Sequence, residues 1–192
     1  DFILNGDDDK LSTVKTVNGK KPVFFGLDAK NDFYAKNIKN SGDGKVLATL
    51  CFDNNNIDVE IPAIGTYMVT NALAAAAAGN LLGLTDEEIA NGVASYQTVG
   101  SRANVINTGK IKIIDDCYNA NPTSVRASLD TLSNLDGRKV AILGDMKELG
   151  SEELKLHFDT GVYAKSKDIG TVITVGELAK ELAKGADGKA FD

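Results

Sequence analysis

Three apolar runs in the second half of this 192-residue sequence end on acids. They are Ile113-Ile114-Asp115-Asp116, Ile142-Leu143-Gly144-Asp145 and Thr174-Val175-Gly176-Glu177. If each run is a strand of one parallel sheet, the carboxyl ends share an edge, which is where open α/β sheets bind ligands. Carboxylates gathered there could coordinate Mg²⁺, accept hydrogen bonds from ribose hydroxyls or hold an ammonium group. The competing use is local, because acids also favour the N-termini of the helices that follow strands. Three together tilt the balance toward a site, with Asp116, Asp145 and Glu177 on a shared rim.

The first run continues as Cys117-Tyr118-Asn119-Ala120-Asn121-Pro122-Thr123-Ser124. Asn121-Pro122 reads as a helix start, Asn121 as N-cap and Pro122 at the first helical position. Behind it Val125, Leu129 and Leu132 form a core-facing stripe, so Asn121 has a sufficient structural duty. Asn119 has none, and stands as a candidate site residue. His157, inside the helical stretch Glu152–Lys165, is assigned to a partly buried packing position. Cys51 and Cys117 have no CxxC spacing and a single histidine for company, so they read as free thiols. No metal ligands are assigned.

The elements that must hold these residues fall into two patterns. Up to Ile64 the chain favours strands: Phe2–Asn5, Val14–Val17, Pro22–Gly26, Lys45–Phe52 and Ile57–Ile61, the last two a hairpin around Asp53-Asn54-Asn55-Asn56. An alanine-rich helix over Val69–Leu82 stops at Gly83, and Thr85 caps a second helix running through Val93. Beyond residue 100 strands and helices alternate. Lys110–Asp116, Lys139–Gly144 and Thr171–Gly176 are strands, and Pro122–Leu135, Glu152–Lys165 and Ala179–Lys184 are helices. This alternation implies βαβ units and a mostly parallel sheet. The reading is an α/β protein with a boundary near residue 100.

Net charge is −6 with no basic cluster, which argues against nucleic acid as partner. No apolar run approaches the roughly 20 residues that cross a bilayer, so a membrane span is excluded, as is a secretion signal. No GxGxxG follows a strand, which disfavours a dehydrogenase, and no Gly-x-x-x-x-Gly-Lys-Ser/Thr loop cradles phosphates. The start at Asp1 in mid-strand and the end on Lys189-Ala190-Phe191-Asp192, as another strand begins, read as a fragment.

The wording "DDCYNANPTSVRASL" followed by "GDMKELG" resembles the C-terminal domain of the Mur ligases, and within that family the MurF branch. "ILNGDDDKL", "GTYMVTNALAAAAAGNLLG" and "GSRANV" resemble further family segments, so the likeness runs over almost the whole chain. Cys117 replaces the usual serine, and Tyr67 stands where histidine is common. The resemblance implies the C-terminal part of the ATP-binding central domain over residues 1–100 and a truncated Rossmann-like ligase domain over 101–192. It implies ATP contacts from Asn71 (adenine), Arg102 (phosphates or ribose) and Asp116 (ribose hydroxyls). Asn119 and Asn121 would lie near the incoming amine or the reaction centre.

The implied activity is ATP-dependent addition of D-Ala-D-Ala to UDP-MurNAc-tripeptide through an acyl phosphate, in peptidoglycan precursor synthesis. The C-terminal domain would close as a lid, and the phosphate loop and most Mg²⁺ ligands would lie upstream. The expected setting is a cytoplasmic monomer. The alternatives are an amide ligase of the MurE or folylpolyglutamate type, and a non-catalytic Rossmann-like nucleotide-binding module.

Overall fold

Alternation in Ile57-Asp58-Val59-Glu60-Ile61 sends Ile57, Val59 and Ile61 to one face of a strand, where all three are buried. In the computed structural model, which describes residues 1–41, 44–98 and 100–192, this strand belongs to the first of two units, Asp1–Val99 and Gly100–Asp192. The first unit opens with β1 (Ile3–Asn5) and β2 (Val23–Phe25), paired in parallel. An antiparallel sheet follows, β3 (Tyr34–Asn40), β4 (Val46–Phe52) and β5 (Asn55–Ile61), with β4 central. The hairpin turn is tighter than the sequence suggests. Phe52 pairs with Asn55, and the two turn residues Asp53 and Asn54 have φ of 46° and 64°. That is the left-handed pair a two-residue turn needs, and Asp and Asn tolerate it.

Two expectations for this unit fail. Val14–Val17 is not a strand: Leu11–Thr13 forms a 3₁₀ turn, and Val17 only bridges Lys20. The Asp8 carboxylate accepts from the backbone N–H of Lys10 (2.9 Å) and Leu11 (2.8 Å), which winds the chain locally before it can extend. Asn18 and Gly19, with φ of 49° and 77°, then reverse it at once. Conversely β3 was not expected. Its sequence is lysine- and asparagine-rich, and a bulge at Asn37 (φ 56°) breaks its alternation.

The alanine run becomes α1 (Met68–Leu81), whose Val69, Leu73, Ala76 and Ala77 join the sheet's apolar face in one core. It ends at Gly83 (φ 83°), where Leu84 N–H bonds Gly79 O (3.0 Å) and Gly83 N–H bonds Asn80 O (2.9 Å). This paired closure satisfies carbonyls the helix leaves free. Then α2 (Asp86–Ala94) starts on a reciprocal cap between Thr85 and Glu88.

The second unit begins with β6 (Asn104–Asn107) and β7 (Lys112–Asp115), an antiparallel hairpin. After α3 (Pro122–Ser133) come β8 (Val140–Gly144), α4 (Glu153–Lys165), β9 (Thr171–Val175), α5 (Ala179–Ala186) and β10 (Lys189–Phe191). The parallel sheet has the order β10-β9-β8. Thus β7 is not a strand of that sheet among the described residues, a correction to the sequence reading. Its partner β6 is only four residues long, Val105 and Ile106 between two asparagines, and leaves little trace in the pattern. Thr108, whose N–H bonds Ile111 O (3.0 Å), closes the hairpin locally.

Leu129 from α3, Ala164 from α4, and Leu182 and Ala186 from α5 cover Ala141 and Val172 on one sheet face. On the other face Ile142 and Phe191 are 70% and 55% exposed.

Two glycines let α4 and α5 touch backbone to backbone. A Cβ on Gly161 would lie 2.1 Å from Leu182 O, and one on Gly185 would lie 2.3 Å from Phe158 O. Neither obstacle is a flexible side chain. We therefore expect Gly161→Ala or Gly185→Ala to cost the second unit about 1–3 kcal/mol through forced separation of the helices. Urea unfolding followed by circular dichroism checks this. An unchanged midpoint would contradict the close crossing.

Candidate functional site

The segment Ser101–Asn104 enters β6 beside the exit of β7, and this places two polar stretches side by side. Tyr118 N–H bonds Ser101 O (3.0 Å), and Ala103 N–H bonds Asp116 Oδ1 (2.9 Å). The other carboxylate oxygen, Oδ2, accepts from the Ser128 hydroxyl on α3. Ala103 sits at φ 51°, where a non-glycine residue is strained, so the carboxylate holds a turn that would otherwise relax. Arg102, exposed, lays its guanidinium over the Tyr118 ring at 4.0 Å from the centroid. Sequence reasoning selected Arg102 and Asp116 and missed Tyr118, Ala103 and Ser128. Only the hairpin pairing brings these together.

Asp115 faces a different set of groups. Its carboxyl lies below the ordinary carboxylate range, first because the Cys117 thiol donates to it (3.2 Å) and next because Ser101 does. Asn119 is exposed, with no hydrogen-bond partner among the described residues. Asn121 is the N-cap of α3. Its Oδ1 accepts from Ser124 N–H (2.9 Å) while Ser124 Oγ accepts from Asn121 N–H (3.1 Å).

The expected rim of three acids is not assembled. Asp145 accepts from Ala179 N–H (2.8 Å), capping α5, and lies against Gly176, where a Cβ would come within 2.4 Å of its Oδ1. Glu177 turns outward to Lys180 (3.0 Å). Asp116 is held by the β6 turn and α3 instead, because β7 belongs to a separate hairpin. Among the described residues no three His, Cys, Asp or Glu side chains gather to hold a metal ion. Asp116 and Asp145 each accept a backbone N–H and Glu177 pairs with Lys180, so these three carboxylates are not arranged as a Mg²⁺ site.

His157 is also placed differently from the expectation. It is 0% exposed, with Nδ1 donating to Glu153 O (2.7 Å) and Nε2 accepting from Met146 N–H (2.9 Å). It pins the turn after Asp145 to α4.

In the first unit Asn71 lies on the exposed side of α1, with its amide 3.5 Å from Met68 Sδ. It borders a cavity of about 350 Å³ between α1 and α2, with Met68, Ala75, Ile89 and Tyr96 among its walls.

Residues 1–79 match the Mur ligase middle domain and residues 101–191 match the glutamate ligase domain of Mur ligases. The chain belongs to the Mur ligase family. It is 33% identical, over 188 residues, to the UDP-N-acetylmuramoyl-tripeptide–D-alanyl-D-alanine ligase of Bacillus subtilis, covering 96% of this chain and 40% of that protein. A crystal structure of MurF from Acinetobacter baumannii superposes with a TM-score of 0.92 at 31% identity, covering 99% of this chain and 42% of that one. MurF from Thermotoga maritima, solved in complex with ADP, shares the fold with a TM-score of 0.82 at 24% identity, over 94% of this chain and 41% of that one. This Mur ligase chain therefore spans about 40% of the length of its curated relatives. Among its described residues no helix is long and apolar enough to cross a membrane.

The lowered Asp115 carboxyl has a consequence for stability. Its hydrogen bonds favour the folded state above the unfolded carboxylate value, and that contribution disappears as pH falls through the lower, folded value. Asp115→Asn is expected to lower the urea midpoint of the second unit at pH 7 and to leave it unchanged near pH 2. Equal midpoints at both pH values would show that these hydrogen bonds contribute nothing.

Proposed function

We propose that this chain supplies nucleotide- and amine-binding residues to an ATP-dependent ligase that joins D-Ala-D-Ala to UDP-MurNAc-tripeptide in peptidoglycan precursor synthesis. In this reading residues 1–100 are the C-terminal part of the ATP-binding central domain and residues 101–192 belong to the C-terminal ligase domain. The enzyme works in the cytoplasm. Family membership and the likeness to relatives named for that reaction support it. The observation that carries it is the arrangement around Asp116: an exposed guanidinium steadied on a tyrosine ring, next to a carboxylate already fixed by a backbone N–H.

The reaction has two steps. The tripeptide carboxylate attacks the γ-phosphorus of ATP, and ADP leaves. The amine of D-Ala-D-Ala then attacks the acyl carbon, losing a proton, and inorganic phosphate leaves as the amide forms. Each step crowds anions, so the protein must offset negative charge and hold the reactants in line. Arg102 suits the phosphates, because a guanidinium offers donors in a planar fork and stays charged. Asp116 retains lone pairs beyond the two in use and can accept from ribose hydroxyls. Asn71 offers both a donor and an acceptor to the edge of adenine. Asn119 is uncommitted and suits the incoming dipeptide. Asn121 has only its amide N–H₂ to spare, because its oxygen serves as the cap.

On this reading ATP binds the chain weakly and shifts the NMR signals of Asn71, Arg102 and Asp116. Arg102→Ala is expected to weaken binding roughly tenfold, the scale of one charge-assisted hydrogen bond. The chain alone releases no ADP when given D-Ala-D-Ala and UDP-MurNAc-tripeptide. ATP that moves none of those signals, or D-Ala-D-Ala-dependent turnover by the 192 residues alone, would overturn the proposal.

A further inference from the structure

We propose that Ser128 is a positioning residue for Arg102, acting through Asp116; its relevance to catalysis rests on the reading that Arg102 meets the nucleotide. Ser128 lies nearly two turns into α3, a helix whose first turn is locked by the Asn121–Ser124 cap and whose Leu129 is buried in the core. It is thus a fixed point. Its hydroxyl donates to Asp116 Oδ2, which leaves Oδ1 aimed at Ala103 N–H. That bond keeps Ala103 in its left-handed conformation, and Ala103 is the residue that follows Arg102. The direction in which Arg102 leaves the backbone is therefore set by the Ala103 turn, and its far end is received by the Tyr118 ring.

The alternative is that Asp116 needs no help. A carboxylate with one partner, however, can rotate about its last bond and present either oxygen, and it exchanges with water more freely. Two donors on different oxygens fix both position and orientation. Among the described residues the Ser128 hydroxyl makes no backbone hydrogen bond that would explain it otherwise. Alanine would serve α3 better than serine if helix formation were its only duty.

The test is NMR on the 192-residue chain with Ser128→Ala and Ser128→Thr. Loss of the hydroxyl should speed exchange of the Ala103 amide about tenfold, since a charge-assisted bond is loosened. It should also reduce the ring-current shift that Tyr118 imposes on the Arg102 side-chain protons. The unfolding midpoint should fall only modestly, because alanine's better helix propensity offsets part of the lost bond to the carboxylate, and Ser128→Thr should restore both signals. Wild-type exchange and wild-type ring shift in Ser128→Ala would overturn the proposal, as would failure of the threonine variant to restore them while it remains folded.

An ATP titration of the same samples separates the two readings. Weaker ATP binding in Ser128→Ala with recovery in Ser128→Thr supports both. If ATP moves no signal in the unmutated chain while the Arg102 and Ala103 signals respond as expected, the positioning role stands and the nucleotide reading falls.

Discussion

The second unit is organised around one carboxylate that serves two separate elements. Asp116 leaves the end of β7, takes the Ala103 N–H from the chain entering β6, and takes the Ser128 hydroxyl from α3. A hairpin at the start of the unit is thereby tied to the first helix of the alternating region. Neither contact is strong by itself. A charged acceptor with two donors is worth more than a neutral pair. Asp116 supplies the acceptor for the N–H of the left-handed Ala103.

Elsewhere in the unit two polar side chains have a clear mechanical duty. Asp145 caps α5 and His157 fixes Met146, so the loop after β8 is anchored at both ends. These side chains are engaged, not poised. Arg102, an exposed cation stacked on Tyr118, and Asn119, an exposed amide, lie close in sequence to the Asp116 turn. An exposed guanidinium beside a carboxylate already held by two donors suits an anionic ligand better than a metal ion. This is the chemical character that the proposed nucleotide role requires.

The two units reach their cores by different routes. In the first, an alternating sheet face meets an alanine-rich helix, so small side chains permit close approach of α1 to the sheet. In the second, glycines at the α4–α5 crossing let two backbones touch, and the core between helices and sheet is correspondingly small. Close approach concentrates dispersion contacts where little apolar volume exists.

The local chemistry of the sequence settled much of this protein. The apolar periodicity placed α1 to α5 and β8 to β10, because helix stripes, caps and buried runs are written in adjacent residues. Thr85, Gly83 and Asn121 were legible as caps for the same reason. What adjacent residues could not decide was pairing. Whether Lys112–Asp115 joined the parallel sheet or a hairpin depended on β6, a four-residue strand too short to announce itself, and that choice put the strands before Asp116 and Asp145 in different sheets. The carboxylate of Asp8 likewise overruled the β-branched run after it. Ser128 reads as an ordinary helix surface residue until folding sets it against Asp116, since a side-chain hydrogen bond between distant residues has no periodicity to betray it. Sequence set which segments could fold and which groups were available; tertiary structure alone set which of those groups met.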